Sequence, residues 1–241
     1  MLLATRLLRR RMMTSLSSPF ASFPPPLVFN PITGTPSSSL IFLHGLGDTA
    51  EGWRETAEEV FTARLPKHRV LLLNAPTIPV DMFGGQAAPA WYNLCGGRSR
   101  STEKCEGLDL TKAYVESVIE GEVARGIPRS QISLGGFSQG GATSLFVGLQ
   151  QDPPLHSVAV LSGYLPLPGG VIPSPSALSS TPFHFFHGDR DEVVPLHYSE
   201  DVQERIKGFG AKRIHSKVYP LPHSISMAEL DDLIVALSEE K

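Results

Sequence analysis

The sequence is poor in cysteine, has no acidic residue before Asp48 and carries no excess of positive charge. Two cysteines among 241 residues, Cys95 and Cys105, are too few for a disulfide scaffold, and they lack the clustered partners of a structural zinc site. A formal charge of −3 provides no electrostatic footprint for nucleic acid or an anionic membrane. We therefore expect reduced thiols, no metal, no cofactor and no nucleic-acid partner.

Long uninterrupted apolar runs are also missing. The span 153–188 contains no Asp, Glu, Lys or Arg, but six prolines and glycines between Pro166 and Pro175 interrupt it too often for a transmembrane helix. The chain is 41% apolar and 19% charged, with a mean hydropathy of −0.02. These values indicate a chain that buries a sizeable core, with no membrane-spanning segment.

The N-terminal segment differs in composition from the rest of the chain. Four arginines, Arg6 and Arg9 to Arg11, precede a stretch at 14–39 that is rich in serine, proline and threonine. Such a stretch does not assemble a core, and an arginine-rich, acid-free start is typical of organelle transit peptides. We predict a disordered or targeting segment at 1–38 and one folded domain at 39–241. The expected location is the cytoplasm, with a mitochondrion or plastid as the alternative.

Apolar runs rich in branched residues alternate with helical patterns from Leu40 onward. This alternation predicts an α/β fold, in which a mostly parallel central sheet has helices on both faces. A long irregular excursion at 75–107, rich in proline and glycine, separates the second strand from the next helix and is expected to be functional. The predicted strands are Leu40–Leu43, Val70–Leu73, Ile132–Phe137, Val158–Leu161, Phe183–Phe186 and Ile214–Tyr219, and the predicted helices are Glu55–Leu65, Leu108–Arg125, Gly141–Gln151, His197–Gly208 and Ser226–Leu237.

The segment Gly136-Phe137-Ser138-Gln139-Gly140 matches the pattern G-x-S-x-G. The match is informative because the segment follows a predicted strand and precedes a predicted helix. Glycines flank the serine because side chains at their positions would collide with neighbouring backbone on so sharp a turn. Ser138 is therefore the candidate nucleophile.

A serine hydroxyl is a weak nucleophile unless a histidine takes its proton and a carboxylate orients that histidine. In the α/β-hydrolase layout the carboxylate follows the serine and the histidine comes last. Asp191, after the fifth predicted strand, and His223, between the last strand and the last helix, fit this order. Asp189 is the alternative acid, although a turn-forming role explains it as well. His44 and His187 end predicted strands but precede the expected position of the base.

The segment His44-Gly45-Leu46-Gly47 follows the first predicted strand and has glycines on both sides of one apolar residue. Such a turn can present a backbone N–H to a developing oxyanion, and the residue after the nucleophile supplies a second N–H. We predict Leu46 and Gln139 as these donors. A phosphate-binding loop is the competing interpretation, but neither G-x-G-x-x-G nor the Walker pattern is present.

With these residues in place, the chain resembles the acyl-protein thioesterase and carboxylesterase family of small α/β-hydrolase-fold serine hydrolases. The resemblance runs from about Leu40 to the C-terminus, with Ser138, Asp191 and His223 as the implied triad. It rests on I-F-L-H-G-L-G-D-T at 41–49, A-W-Y at 90–92, L-G-G-F-S-Q-G-G-A at 134–142, H-G-D-R-D-E-V-V-P at 187–195 and Y-P-L-P-H-S at 219–224.

The resemblance implies hydrolysis of carboxylic esters or thioesters, with acylated proteins, lysophospholipids or small esters as substrates and no cofactor. It also implies a substrate pocket at Trp91, Tyr164 and Leu165, at most transient contact with a membrane surface, and a monomer or weak dimer. This sequence departs from the family pattern at two positions: Pro222 stands where glycine is usual, and Tyr164 stands where tryptophan is common. The alternatives are a short-chain carboxylesterase and a non-catalytic binding protein on the same fold.

Overall fold

The computed structural model describes residues 20, 22–32, 34–96, 103–167 and 169–238. Most of its nine strands are short and deeply buried, as expected for a sheet covered on both faces. They are β1 (Leu27–Phe29), β2 (Ser38–Leu43), β3 (His68–Leu73), β4 (Thr77–Val80), β5 (Gln86–Pro89), β6 (Ile132–Phe137), β7 (Ser157–Leu161), β8 (Phe183–Gly188) and β9 (Ile214–Tyr219).

Seven of these strands form the main sheet, in the order β1-β3-β2-β6-β7-β8-β9. Every neighbouring pair is parallel except β1 and β3, which pair antiparallel at one edge. The chain moves from β2 outward to β3 and later returns to the other side of β2 with β6. The carboxyl ends of β2 and β6 therefore lie side by side at the point where the strand order reverses. The sheets of α/β proteins commonly bind ligands at this point.

The helices confirm the predicted positions to within a few residues. The helix expected at 55–65 is divided by a π-helical turn at Ala57–Phe61. Within the described ranges, no helix is both long enough and apolar enough to cross a membrane. The α-helices are α1 (Arg54–Thr56), α2 (Thr62–Arg64), α3 (Leu108–Ala124), α4 (Gln139–Gly148), α5 (Pro175–Ser180), α6 (Leu196–Gly208) and α7 (Met227–Ser238).

The core lies on both faces of the sheet because alternate side chains of each strand point to opposite sides. In β2, Leu40 and Phe42 pack with the α1–α2 segment and α7, whereas Ile41 and Leu43 pack with α3 and α4. All four side chains are at most 1% exposed. Burying a side chain of this size contributes about 2 kcal/mol.

Three features of the organisation were not predicted. Leu27–Phe29, ahead of the predicted boundary at residue 39, forms β1 and pairs with Val70–Leu72. The excursion at 75–107 contains a hairpin of β4 and β5, turning through Gly84 and Gly85 at positive φ. The unpredicted helix α5 begins with Pro175 after Ser174, whose hydroxyl accepts from the N–H of Ala177. The proposed targeting segment falls mainly on residues 1–19, outside the described residues.

Candidate active site

Ser138 lies on the turn between β6 and α4. Its backbone has φ 55° and ψ −120°, which is a strained conformation for a residue with a side chain. A hydrogen bond from its N–H to the carbonyl of Leu161 on β7, 2.8 Å long, holds the turn against the neighbouring strand. The turn therefore raises the Ser138 side chain above the carboxyl end of the sheet.

Glycine is required on both sides of this turn for steric reasons. A Cβ atom on Gly136 would lie 2.5 Å from the carbonyl carbon of Gly140. A Cβ atom on Gly140 would lie 2.2 Å from the carbonyl oxygen of Leu43 and 2.5 Å from that of His44. These obstacles are backbone atoms of α4, of β2 and of the loop after β2, so they have little freedom to move away. The glycines thus allow the serine turn to press against the end of β2.

The structure brings the side chains of Ser138, His223 and Asp191 into one hydrogen-bonded line. His223 Nε2 lies 2.9 Å from Ser138 Oγ, and His223 Nδ1 lies 2.6 Å from Asp191 Oδ2. The ring of Phe137 packs against the imidazole with 4.8 Å between ring centroids. The alternative acid, Asp189, has a half-exposed side chain that lies 3.6 Å from Arg190 Nε. The arrangement can move a proton from Ser138 to a histidine whose orientation is set by Asp191.

Both carboxylate oxygens of Asp191 are held by donors. Oδ1 accepts hydrogen bonds from the backbone N–H groups of Val193 and Val194, at 3.0 and 2.7 Å, and Oδ2 accepts from His223. Burial alone would raise the pKa of Asp191, but the bonds from His223 and Val194 keep it below its ordinary value. Asp191 therefore remains a carboxylate and an acceptor for the His223 N–H.

His187 is a neighbour of this site that sequence reasoning missed. It is 2% exposed, its Nε2 donates to the carbonyl of Val194 at 2.7 Å, and the same nitrogen lies 3.6 Å from Asp191 Oδ2. Burial lowers the pKa of His187, so the ring is held neutral. In the sequence, His187 and His44 share one pattern: each is a histidine followed by glycine at the carboxyl end of a predicted strand. This pattern could have indicated that His187 lies near the candidate site.

The loop that follows β2 packs directly against Ser138. A Cβ atom on Gly45 would lie 3.4 Å from Ser138 Cβ, so the loop backbone approaches the serine closely. His44 braces this loop: its Nδ1 donates to the carbonyl of Gly45 at 2.7 Å, and its Nε2 accepts from the N–H of Ala75 at 3.1 Å. Because both ring nitrogens of His44 are engaged in these hydrogen bonds, this histidine holds the loop in place.

Leu46 and Gln139, the predicted oxyanion donors, lie on two different elements, the loop after β2 and the start of α4. Leu46 lies in the turn closed by the hydrogen bond from Asp48 N–H to the carbonyl of Gly45, and Gln139 is the first residue of α4. The first N–H groups of a helix have no partner within it, so the N–H of Gln139 is available at the positive end of the helix dipole. The side chain of Gln139 is pinned between the N–H of Trp91 and the carbonyl of Tyr92, at 2.9 and 2.8 Å.

The three residues predicted for the substrate pocket are core residues in this structure. Trp91, Tyr164 and Leu165 are 0%, 3% and 3% exposed. The indole N–H of Trp91 donates to the carbonyl of His44 at 2.8 Å, and the hydroxyl of Tyr164 lies 2.6 Å from that of Tyr92. They therefore support the loops around the serine from below, and their hydrogen-bonded burial is a tertiary property that the motifs did not reveal.

An open cavity of about 490 Å³ lies beside His223. Its lining combines one charge of each sign with apolar groups: Arg190, Glu192, Val193 and Pro222 surround the His223 ring. Val193 is 54% exposed there. Pro222, noted above as a departure from the family pattern, is thus part of the surface next to the histidine.

The sheet is mostly parallel, Ser138 lies on a strand-to-helix turn, and Asp191 and His223 lie on later loops at the same edge. This arrangement is typical of the α/β hydrolases. Comparison with known proteins agrees with this class. Residues 30–239 match the phospholipase/carboxylesterase family. The chain belongs to this family, and it is a serine hydrolase.

Individual relatives cover most of the chain. Acyl-protein thioesterase 1 of Neurospora crassa is 34% identical over 225 residues, which span 89% of this chain and 91% of that protein. Acyl-protein thioesterase 1 homolog 2 of Dictyostelium discoideum is 37% identical over 201 residues, which span 81% of this chain and 89% of that protein. The crystal structure of Zea mays acyl-protein thioesterase 2 superposes with a TM-score of 0.75 at 28% identity, covering 88% of this chain and 99% of that chain.

Proposed function

We propose that this protein cleaves carboxylic esters or thioesters of acylated proteins or lysophospholipids, with Ser138, His223 and Asp191 as its catalytic triad. The observation that carries the proposal is the continuous hydrogen-bonded line from Ser138 Oγ through both nitrogens of His223 to Asp191. The backbone N–H groups of Leu46 and Gln139 are the proposed oxyanion donors.

In the first half of the reaction, Ser138 Oγ attacks the acyl carbonyl while His223 Nε2 accepts its proton. Asp191 holds the imidazole in the productive tautomer and stabilises its positive charge. His223 then gives the proton to the departing thiol or alcohol, and an acyl-enzyme remains on Ser138. In the second half, water attacks the acyl-enzyme with His223 as the base, which releases the carboxylic acid and restores Ser138.

The leaving group must lie beside His223 because it takes a proton from this residue. The cavity at that position is open and has Arg190, Glu192 and Val193 around it. A peptide or a lipid headgroup fits such a mixed surface better than a small alcohol does. The names of the relatives, which are acyl-protein thioesterases, favour the peptide.

A short-chain carboxylesterase is the second candidate, and a hydrolase-fold protein that binds without cleaving is the third. The second predicts a peak of activity at two to four carbons, whereas a long-chain thioesterase or lysophospholipase works best on medium or long acyl chains. A binding protein, the third candidate, would neither react with an active-site label nor hydrolyse any ester. One experiment separates all three.

The experiment is labelling of the purified protein with a fluorophosphonate, followed by turnover of p-nitrophenyl esters from two to sixteen carbons and of a palmitoylated peptide. We expect Ser138→Ala to abolish labelling and to lower activity by several orders of magnitude, because the triad acts as a unit. Ser144→Ala, which removes a buried hydroxyl on α4, is the matched control and should keep both. Retention of more than about a tenth of the activity in Ser138→Ala would contradict the proposed nucleophile.

A further inference from the structure

The chain that leaves the β4–β5 hairpin contacts both elements that carry the proposed oxyanion donors. Residues 89–92, here named the bracing segment, begin at the last residue of β5, and the three residues after it are 0% exposed. Leu46 and Gln139, the proposed donors, belong to elements that are far apart in the chain. An oxyanion hole works only if both N–H groups aim at one point. The position of one element relative to the other must therefore be fixed.

On one side, the bracing segment holds the loop after β2. The carbonyl of Pro89 accepts from the N–H of Gly47 at 2.8 Å, and the indole N–H of Trp91 donates to the carbonyl of His44 at 2.8 Å. These two hydrogen bonds fall on either side of Leu46 in the chain. The side chain of Leu46 also packs against the hydrophobic cluster that includes Trp91. The peptide that presents the Leu46 N–H thus lies between two peptides that the bracing segment holds.

On the other side, the bracing segment holds the start of α4 through the side chain of Gln139. The N–H of Trp91 donates to Gln139 Oε1 at 2.9 Å, and Gln139 Nε2 donates to the carbonyl of Tyr92 at 2.8 Å. A primary amide can satisfy a backbone N–H and a backbone carbonyl together. Gln139 is 2% exposed, so both bonds lie in a low-dielectric environment that strengthens them. The residue that carries the second proposed donor is therefore fixed by its own side chain.

Trp91 is the central residue of this arrangement, because its N–H, its carbonyl and its indole N–H are all hydrogen-bonded. The carbonyl accepts from the hydroxyl of Thr111 on α3, and Thr111 is 0% exposed. Trp91 is thus tied to α3, to α4 and to the loop after β2, and it has little freedom to shift. Donors that are held in place before the reaction need no reorganisation when the oxyanion forms.

We propose that Trp91 and the side chain of Gln139 are positioning residues that set the separation and the direction of the two oxyanion donors. The inference rests on the proposed esterase function and adds to it the groups that hold its oxyanion hole in shape. Their effect belongs to the transition state, because the acyl oxygen gains its negative charge there. The planar carbonyl of the bound substrate interacts with the donors more weakly.

The test compares two inhibitors with the same long acyl chain, a trifluoromethyl ketone and a methyl ketone. Ser138 Oγ adds to the carbonyl of the trifluoromethyl ketone and gives a tetrahedral oxyanion, while the serine proton passes to His223. The methyl ketone stays mainly planar, so its inhibition constant reports binding of the acyl chain. Gln139→Met removes both side-chain hydrogen bonds but keeps the backbone N–H and the side-chain length. Trp91→Phe, the milder variant, removes the indole N–H and keeps an aromatic ring.

Ser157→Ala is the matched control. It breaks another buried hydrogen bond, the 3.0 Å bond from Ser157 Oγ to Ser133 Oγ, at the amino ends of β6 and β7 and away from Ser138. All rates are expressed per active site, counted by fluorophosphonate labelling that is run to completion. A lower yield of folded protein therefore does not appear as a lower rate.

We expect kcat for a p-nitrophenyl ester to fall about tenfold or more in Gln139→Met and Trp91→Phe, with little change in KM. The inhibition constant of the trifluoromethyl ketone should rise by the same factor, and that of the methyl ketone should change less than about twofold. Ser157→Ala should leave all these quantities unchanged.

Two results would overturn the inference while the wild type remains an esterase. One is that both variants are as active as the wild type and bind the trifluoromethyl ketone equally well. The other is that binding of the two ketones weakens equally, which would place the effect on the acyl chain. A wild type that neither labels nor hydrolyses any ester would instead contradict the proposed function, and this inference with it.

Discussion

At the scale of single residues, the proposed triad depends on side chains that position its members. Asp191 Oδ1 is held by two backbone N–H groups of the 193–194 segment, and this segment is tied down by His187 through the carbonyl of Val194. His187 thus orients Asp191, which in turn orients His223. The effect of His187 on the reaction is indirect, because it touches the Asp191 loop and lies away from Ser138.

We predict that His187→Leu lowers kcat by about tenfold with little change in KM, since misplacing the acid slows proton transfer without altering substrate contacts. His187→Gln, whose side-chain amide can still donate to the carbonyl of Val194, should recover much of the loss. Steady-state kinetics with a p-nitrophenyl ester from pH 5 to pH 9 is the measurement. A purely structural role for His187 would instead lower the yield of active protein in both variants and leave kcat per labelled active site unchanged.

At the scale of one element, α7 begins directly behind the loop that carries His223. The hydroxyl of Ser226 accepts from the N–H of Glu229 at 3.2 Å, which caps the first turn of the helix. Glu229 is 1% exposed, and burial raises its pKa to about 7, with the N–H of Ser226 acting in the opposite direction. The helix start therefore contains a carboxyl group that is stable in the fold as the neutral acid.

The raised pKa of Glu229 sets how this residue changes the free energy of unfolding with pH. The folded state binds the Glu229 proton more tightly than the unfolded state does, so this stabilisation is complete at acid pH and is lost as the pH rises towards 7. We predict that Glu229→Gln raises the free energy of unfolding at pH 8 by about 2 kcal/mol and changes it little at pH 4.5. Urea denaturation at both pH values measures this difference. The exposed Glu59→Gln is the control, and an equal effect of the two variants would refute the prediction.

At the scale of the whole molecule, Phe20 and residues 22–32 pack against the rest of the described domain. Phe23 stacks on Tyr114 of α3 with ring centroids 4.0 Å apart, and the Phe20 ring covers Gly107 at the start of the same helix. β1 pairs with β3 and covers an edge that would otherwise expose backbone donors and acceptors. The segment therefore extends the core of the domain beyond the predicted boundary.

We predict that a chain of residues 39–241 unfolds at a melting temperature more than about 5 °C below that of residues 20–241, because it loses these aromatic contacts and the edge strand. Differential scanning calorimetry of the two chains is the measurement, and equal melting temperatures would place the domain boundary at residue 39 after all.

Cell fractionation of the full chain beside residues 20–241 tests targeting. Identical distributions would dismiss the targeting hypothesis and favour the cytoplasm for both.

Much of the fold was predictable from local patterns. Five strands of the main sheet are recognisable because buried parallel strands are short, mainly apolar runs. The sixth predicted strand, β9, mixes polar and apolar residues, and only its last residue, Tyr219, is buried. Five helices are recognisable from their apolar spacing. β1 escaped prediction because three residues between proline-rich segments carry no periodic signal, and their pairing with β3 depends on residues some forty positions away. The hairpin at 77–89 was hidden by the same proline and glycine content that turns it.

The sequence alone determined the order Ser138, Asp191, His223 and their places after β6, β8 and β9. These places lie at one edge because parallel strands bring their carboxyl ends together whatever the details of packing. Only the tertiary structure decided which further residues surround them. His187 lies 3.6 Å from Asp191, and Trp91 and Tyr164 lie in the core. These contacts arise from the packing of distant segments, and burial and hydrogen-bond partners are properties of that packing, which no local motif encodes.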